Sequence, residues 1–189
     1  MRLPDLGDLS PRQQEIADRI AGRRGGVRGP FRLWLRSPEL CEKVEALGAY
    51  CRFGSVLDPR LREISLLIAA RHFDTQYSWN AHVDKAADAG IARESLDAIA
   101  EKRVPWFAKS DEEAAYLFGT EILRDHFVSE ATFKRALAEL GEQGIIDLIG
   151  GLGNVSMRAM LLNACQVALQ EDRTPPFPDV RGFAKVADA

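Results

Sequence analysis

The sequence predicts an all-α protein. No stretch of useful length alternates apolar and polar side chains, the pattern that a half-buried strand requires. Helix starts recur instead: Ser10-Pro11, Ser37-Pro38 and Asp58-Pro59 each set a capping side chain before a proline that fits the first helical turn. Glycines then stand where apolar-periodic runs end, as at Gly90 and Gly141, positions where a helix closes in the left-handed conformation.

Taken in order, residues 1–9 form an N-terminal arm, and Ser10 caps a helix over about residues 12–23 that Gly25-Gly26 stops. Residues 30–36 (PFRLWLR) make a short amphipathic segment. Ser37 then caps a helix whose Leu40, Val44, Leu47 and Tyr50 are spaced for one face. The helix opened by Asp58-Pro59 is apolar or small almost all round between Ile64 and Ala70, as in a bundle core. A second helix follows, from Asp74 or Thr75 to Gly90. Residues 92–102 read as a short polar helix, and Val104-Pro105-Trp106-Phe107 as a turn with two aromatics. Ser110 with Glu113 has the form of a capping box for a helix reaching His126. Ser129 opens a helix over residues 130–140, and from Gly144 a long apolar helix carries an expected interruption at Gly150, Gly151 and Gly153. That glycine cluster lacks the lysine and hydroxyl residue of a phosphate loop, so it reads as close helix packing, with Asn154 and Asn163 directed to a pocket or a subunit boundary. The tail, residues 173–189, starts with a proline-rich extended stretch.

A chain of 189 residues with net charge −3 suits one domain over residues 1–189 and offers no basic footprint for nucleic acid or an anionic membrane. No apolar run approaches the ~20 residues of a membrane span, and the N-terminus has no signal-peptide core, so a cytoplasmic protein is expected. Cys41, Cys51 and Cys165 are odd in number and form no Cys-x-x-Cys pair. They read as small apolar side chains, and no disulfide framework, metal site or cofactor is expected.

One constellation points to chemistry. Glu63 interrupts the apolar helix and shares a face with Leu67 and Ala70, so a carboxylate is directed towards apolar surroundings, where desolvation favours proton transfer near neutral pH. On the next helix Thr75, Trp79, His82, Ala86 and Ala89 share one stripe, with Ser78 at its edge.

The spacing Glu63, eleven residues, Thr75, one residue, Tyr77, Ser78, three residues, His82 resembles the carboxymuconolactone decarboxylase family, which includes the alkyl hydroperoxidase D-like proteins. RLREISLLIAAR, QYSWNAH and AADAG carry the likeness. The two cysteines of the hydroperoxidase branch fall on Thr75 and Ser78, and its intervening histidine on Tyr77, so only Glu63 and His82 keep proton-handling identities. The YSWNAH stretch is closer to the decarboxylase branch, with Ser78 where that branch has an acid.

The resemblance implies a helical bundle built around a central helix pair, assembled as a trimer or hexamer. It implies a lyase acting on a small carboxylated lactone or related aromatic-degradation intermediate, with Glu63 and His82 for the proton steps. Thr75, Tyr77, Ser78 and Trp79 would line the pocket, although on an ideal wheel Tyr77 points nearly opposite His82. An arginine such as Arg36, Arg52 or Arg71 would hold the acid group, because guanidinium meets carboxylate in a bidentate fork. An isomerase or lactone hydrolase using the same pair, and a non-catalytic oligomer that binds a small acid, remain open. A thiol peroxidase is not expected, since neither Thr75 nor Ser78 yields a thiolate.

Overall fold

A computed structural model describes residues 1–169 and 172–179, and every regular element among them is helical. Helix α1 (Pro11–Arg24) starts with a complete capping box: the Ser10 hydroxyl accepts from Gln13 N and the Gln13 side chain accepts from Ser10 N. Helices α2 (Pro30–Trp34) and α3 (Pro38–Ala49) follow, and α3 runs directly into a π-helical turn over Tyr50–Gly54. That wide turn has no mark in the sequence pattern; π-turns inside helices concentrate at functional sites. Helices α4 (Pro59–His72) and α5 (Gln76–Asp88) form the central pair, then come α6 (Arg93–Ala100), α7 (Ser110–Asp125) and α8 (Glu130–Ala164).

Helix α4 is the hub. It packs against α5, α7 and α8 and buries Leu61, Ile64, Leu67, Ile68, Ala69 and Ala70. Leu148, Leu152 and Val155 of α8, Phe118 of α7 and Trp79 of α5 complete this core. A second apolar cluster joins α1 to α2 and α3 through Ile16, Ile20, Phe31, Trp34, Cys41 and Val44. Each fully buried leucine or isoleucine stabilises the fold by about 1.5–3 kcal/mol, so the two clusters hold both sides of the space between them.

Several local expectations need correction. Ser37 precedes α3 without a side-chain cap, and Ser110 is the first helical residue of α7, with Lys109 in the capping position. Gly141, by contrast, ends regular helical geometry as expected, at φ 70° and ψ 174°, so α8 is two helical stretches joined across a kink at that residue. The glycines at 150, 151 and 153 cause no break. Gly151 instead lets α4 approach, since a Cβ there would stand 3.1 Å from Ser65 Oγ. Helix α8 is long and apolar enough to cross a membrane, yet half of its most apolar window is buried inside the fold and Asp147 and Asn154 on it are buried, which marks it as the core helix.

The N-terminal arm and the described part of the tail lie on the bundle. Arg2 N donates to Cys165 O, and the tail crosses α5, where Gln76 Nε2 donates to Phe177 O at 2.6 Å and Asn80 Nδ2 to Thr174 O at 3.0 Å. The part of the expected tail beyond residue 179 lies outside the described residues.

Candidate active site

Three helices turn a stripe of side chains into one cavity of about 420 Å³. From α4 come Pro59, Arg62, Glu63 and Leu66; from α5, Tyr77, Ser78, Ala81, His82 and Lys85; from α8, Asp147, Gly151, Asn154 and Arg158. The spacings of three and four residues are those of one helical face. Arg24 at the end of α1, residues of the segment that follows it, Gly48 of α3, and Cys51, Arg52 and Phe53 of the π-turn close the remaining side. Asp147 fixes that turn by accepting from Tyr50 Oη and Val56 N, both at 2.8 Å, while Arg62 donates to the Arg52 carbonyl.

Glu63 and His82 meet in this wall. His82 Nδ1 lies 2.8 Å from Glu63 Oε2, and both side chains are largely buried. Facing a carboxylate acceptor, Nδ1 carries the proton, which leaves the Nε2 lone pair for chemistry. Burial pushes the imidazole below its ordinary range, against the opposing pull of Glu63, so the ring is neutral at rest. Of the helices that hold the pair, α4 starts from a cap and a proline, with Asp58 accepting from Arg60 N before Pro59, whereas Thr75 occupies the capping position of α5 without a side-chain cap.

Of the other residues singled out in the sequence, Tyr77 and Ser78 line the cavity. Tyr77 and His82 stand about 140° apart on the α5 wheel at 100° per residue, and the cavity spans the whole arc, so one subunit brings both side chains to it. The Tyr77 ring packs on Gly29, whose φ of 55° suits glycine and where any Cβ would overlap the phenol. Thr75 and Trp79 belong to another face. Thr75 is buried and donates to Asn163 Oδ1 at 3.2 Å, and Trp79 packs edge-to-face on Phe177 of the tail. Arg36 lies outside the cavity, bonded to the carbonyls of Pro4 and Arg32. Arg71 also lies outside, donating to Ala100 O and Asp74 and stacking 4.2 Å over Phe177.

The cavity's charge comes from residues of which the sequence reading raised only Arg52 as a candidate. Arg24, Arg28, Arg52, Arg62, Lys85 and Arg158 line it against only two carboxylates, Glu63 and Asp147, which makes it an anion-attracting space. Lys85 lies at the centre of the α5 stripe, three residues from His82, and Arg158 lies four residues from Asn154. Those spacings were the available signal. Among the described residues no group of three histidine, cysteine, aspartate or glutamate side chains is placed to hold a metal ion.

No protein-family model matches the chain, and no curated protein matches it significantly by sequence. Solved structures do match in shape. A peroxidase-related protein from Silicibacter sp. TM1040 superposes with a TM-score of 0.73 at 15% identity, covering 91% of this chain and 92% of its own. A protein of unknown function from Agrobacterium tumefaciens, proposed as an antioxidant defence protein AhpD, gives 0.65 at 14% identity over 77% of this chain and 100% of its own. The debrominase Bmp8, in a cysteine-to-alanine variant complexed with 2,3,4-tribromopyrrole, gives 0.68 at 13% identity over 89% of this chain and 95% of its own. The chain therefore has the AhpD-like all-helical fold.

Proposed function

We propose that the protein is a lyase of the carboxymuconolactone decarboxylase type, acting on a small carboxylated lactone or a related ring-degradation intermediate by proton transfer through His82. The observation that carries this reading is the 2.8 Å contact of His82 Nδ1 with Glu63 in the wall of a cationic cavity. Loss of carbon dioxide breaks one carbon–carbon bond, leaves its electron pair in the unsaturated lactone, and requires one solvent-derived proton to be added at carbon. An anion entering the cavity favours the charged imidazole, so His82 takes up that proton at Nε2 on binding and delivers it as carbon dioxide leaves. Glu63 stabilises the transient imidazolium through Nδ1 and fixes the ring. Tyr77 and Ser78 supply hydroxyls to the same wall.

The test is incubation of the protein with carboxylated γ-lactones in D₂O, following carbon dioxide release and deuterium incorporation by NMR. Release dependent on His82 is the expected result. Deuterium uptake without release identifies an isomerase instead, and binding with neither identifies a small-acid-binding protein.

The peroxidase-related neighbour raises a second chemistry that this chain's residues disfavour. Thr75 and Ser78 carry hydroxyls, and burial pushes the Cys51 thiol of the cavity wall up, away from the reactive thiolate. The protein is expected to show no dithiol-dependent reduction of an alkyl hydroperoxide. Such activity, abolished by Cys51→Ser, would contradict this.

We also propose that the chain self-associates as a trimer or hexamer. The support, beside the sequence resemblance, is an exposed apolar stripe on α8 formed by Ile146, Ile149 and Met160. Light scattering at micromolar concentration is expected to give a multiple of three, and a monomer would refute it.

A further inference from the structure

The cavity has two unlike ends. Arg28, Arg52, Phe53 and Lys85 are exposed at its mouth, whereas Arg24, Asn154 and Arg158 converge at its inner end around the bare backbone of Gly48. A Cβ on Gly48 would stand 3.5 Å from Arg24 Nη2, 3.6 Å from Arg158 Nη2 and 3.7 Å from Asn154 Oδ1. Two guanidinium groups are thus held side by side in a largely desolvated place, where like charges repel strongly. Burial and the neighbouring Arg24 hold Arg158 down to about 10, still charged at neutral pH. Among the described residues the hydrogen bond made by Arg158 goes to the neutral Asn154 Oδ1, at 2.9 Å, and the nearest carboxylate to Arg24 is Glu45, at 3.7 Å.

The unmet hydrogen bonds fall in the same place. Nine buried side-chain polar atoms lack a partner among the described residues, and five of them belong to cavity residues: Arg24 Nε and Nη2, Arg158 Nε, Asn154 Nδ2 and Ser78 Oγ. Four of the five are N–H groups that can only donate. Glu45 Oε1, itself unpartnered, faces Arg24 only at 3.7 Å, and Arg158 makes no ion pair with any carboxylate among the described residues, so the remaining buried donors call for an acceptor that carries negative charge. Phe31, Leu57 and Leu66 in the same lining provide apolar surface, which suits an organic acid with a hydrocarbon body better than a free inorganic anion.

We propose that the inner end of the cavity is a carboxylate-binding subsite formed by Arg24, Arg158 and the Asn154 amide, which anchors the acid group of a small, largely apolar carboxylic acid. This specifies the ligand class of the site described above and rests on that reading only in assigning the acid to a substrate. The subsite also accounts for the glycine at position 48: a larger side chain there would fill the space between the two guanidinium groups.

The experiment is calorimetric titration with benzoate, with inorganic phosphate as a second probe, on the wild type and on Arg24→Met and Arg158→Met, which keep the aliphatic stems. Benzoate is expected to bind the wild type, with each methionine variant weaker by roughly 10- to 100-fold, the scale of one charge-assisted hydrogen bond or ion pair lost. The ligand-free Arg158→Met protein is expected to melt at a higher temperature than the wild type, because one of two repelling buried charges is gone. Arg158→Lys, which keeps the charge, is expected to retain benzoate binding better than Arg158→Met. Benzoate binding that is absent, or unchanged in both methionine variants, overturns the subsite, as does a lowered melting temperature in Arg158→Met. Binding of phosphate without benzoate overturns the carboxylate assignment. Benzoate has no lactone to react, so this measurement is independent of whether His82 transfers a proton. Loss of the lyase reading would leave the subsite standing, and loss of the subsite would leave the Glu63–His82 pair untouched.

Discussion

Replacing His82 by glutamine lowers carbon dioxide release from a carboxylated lactone by about 100-fold or more, the usual scale for removing a general acid or base. Glutamine keeps a polar side chain that can still meet Glu63, but it has no group that takes up and returns a proton near neutral pH. The melting temperature should therefore move little while turnover collapses. Glu63→Gln should fall by a similar factor for a different reason. A neutral amide no longer stabilises the imidazolium and no longer selects the tautomer with its proton on Nδ1, the nitrogen 2.8 Å away. A packing role for His82 makes the opposite forecast, with stability lost and any turnover preserved. Parallel measurement of turnover and unfolding of the two variants separates these accounts.

Arg60→Met is expected to destabilise the fold by about 3–5 kcal/mol, the scale of leaving a buried charge without its partner. Arg60 sits in the first turn of α4 and donates to Glu112 at 2.5 Å and to Asp111 at 3.0 Å, with Asp58 at 3.1 Å. Glu112 is the reason for the size of the effect, because its side chain is only 4% exposed and cannot recover water when the guanidinium is lost. The same contact fixes the start of α4 against α7, one turn before Glu63, so the variant should also loosen the site. Denaturant unfolding of Arg60→Met, and of a double variant that adds Glu112→Leu, measures this directly. The double variant should recover much of the loss, since the uncompensated carboxylate is gone. A single-variant cost under about 1 kcal/mol, typical of an exposed pair, would show that the network is solvated.

How far the chain could be read from its letters differed from element to element for physical reasons. The helices themselves were legible because their ends are written locally: Ser10 with Gln13, Asp58-Pro59 and the glycine at 90 act within a few residues. Closeness of Glu63 and His82 followed from their places in two consecutive helices. Which stripe of α5 faces the cavity was not legible. Thr75 and Trp79 have the same helical period as His82, and only the approach of Asn163 and Phe177 from distant parts of the chain assigns them elsewhere. The arginines show the same limit. Guanidinium groups at 36 and 71 were as suitable chemically as those at 24 and 158, but Arg36 is taken up by backbone carbonyls and Arg71 by Asp74 and the tail. The inner cluster exists because α1, α3 and α8 meet at Gly48, a contact that no local pattern encodes. The π-turn is likewise a tertiary product, held by the bonds of Asp147 to Tyr50 and Val56.

The central claim is that His82 is a buried imidazole whose protonation is set by Glu63 within the cavity. An NMR pH titration of the labelled His82 ring, in the wild type and in Glu63→Gln, tests it most directly. The account predicts a neutral ring protonated on Nδ1 and a titration midpoint below the ordinary histidine value of 6.5. It predicts a still lower midpoint in Glu63→Gln, because the carboxylate that favours the charged form has been removed. Between the lowered folded midpoint and 6.5 the unfolded chain binds more protons, so His82 makes the protein less stable as pH falls through that window. A midpoint at or above the ordinary value, unmoved by Glu63→Gln, would show a solvated histidine with no coupling to Glu63 and would contradict the account.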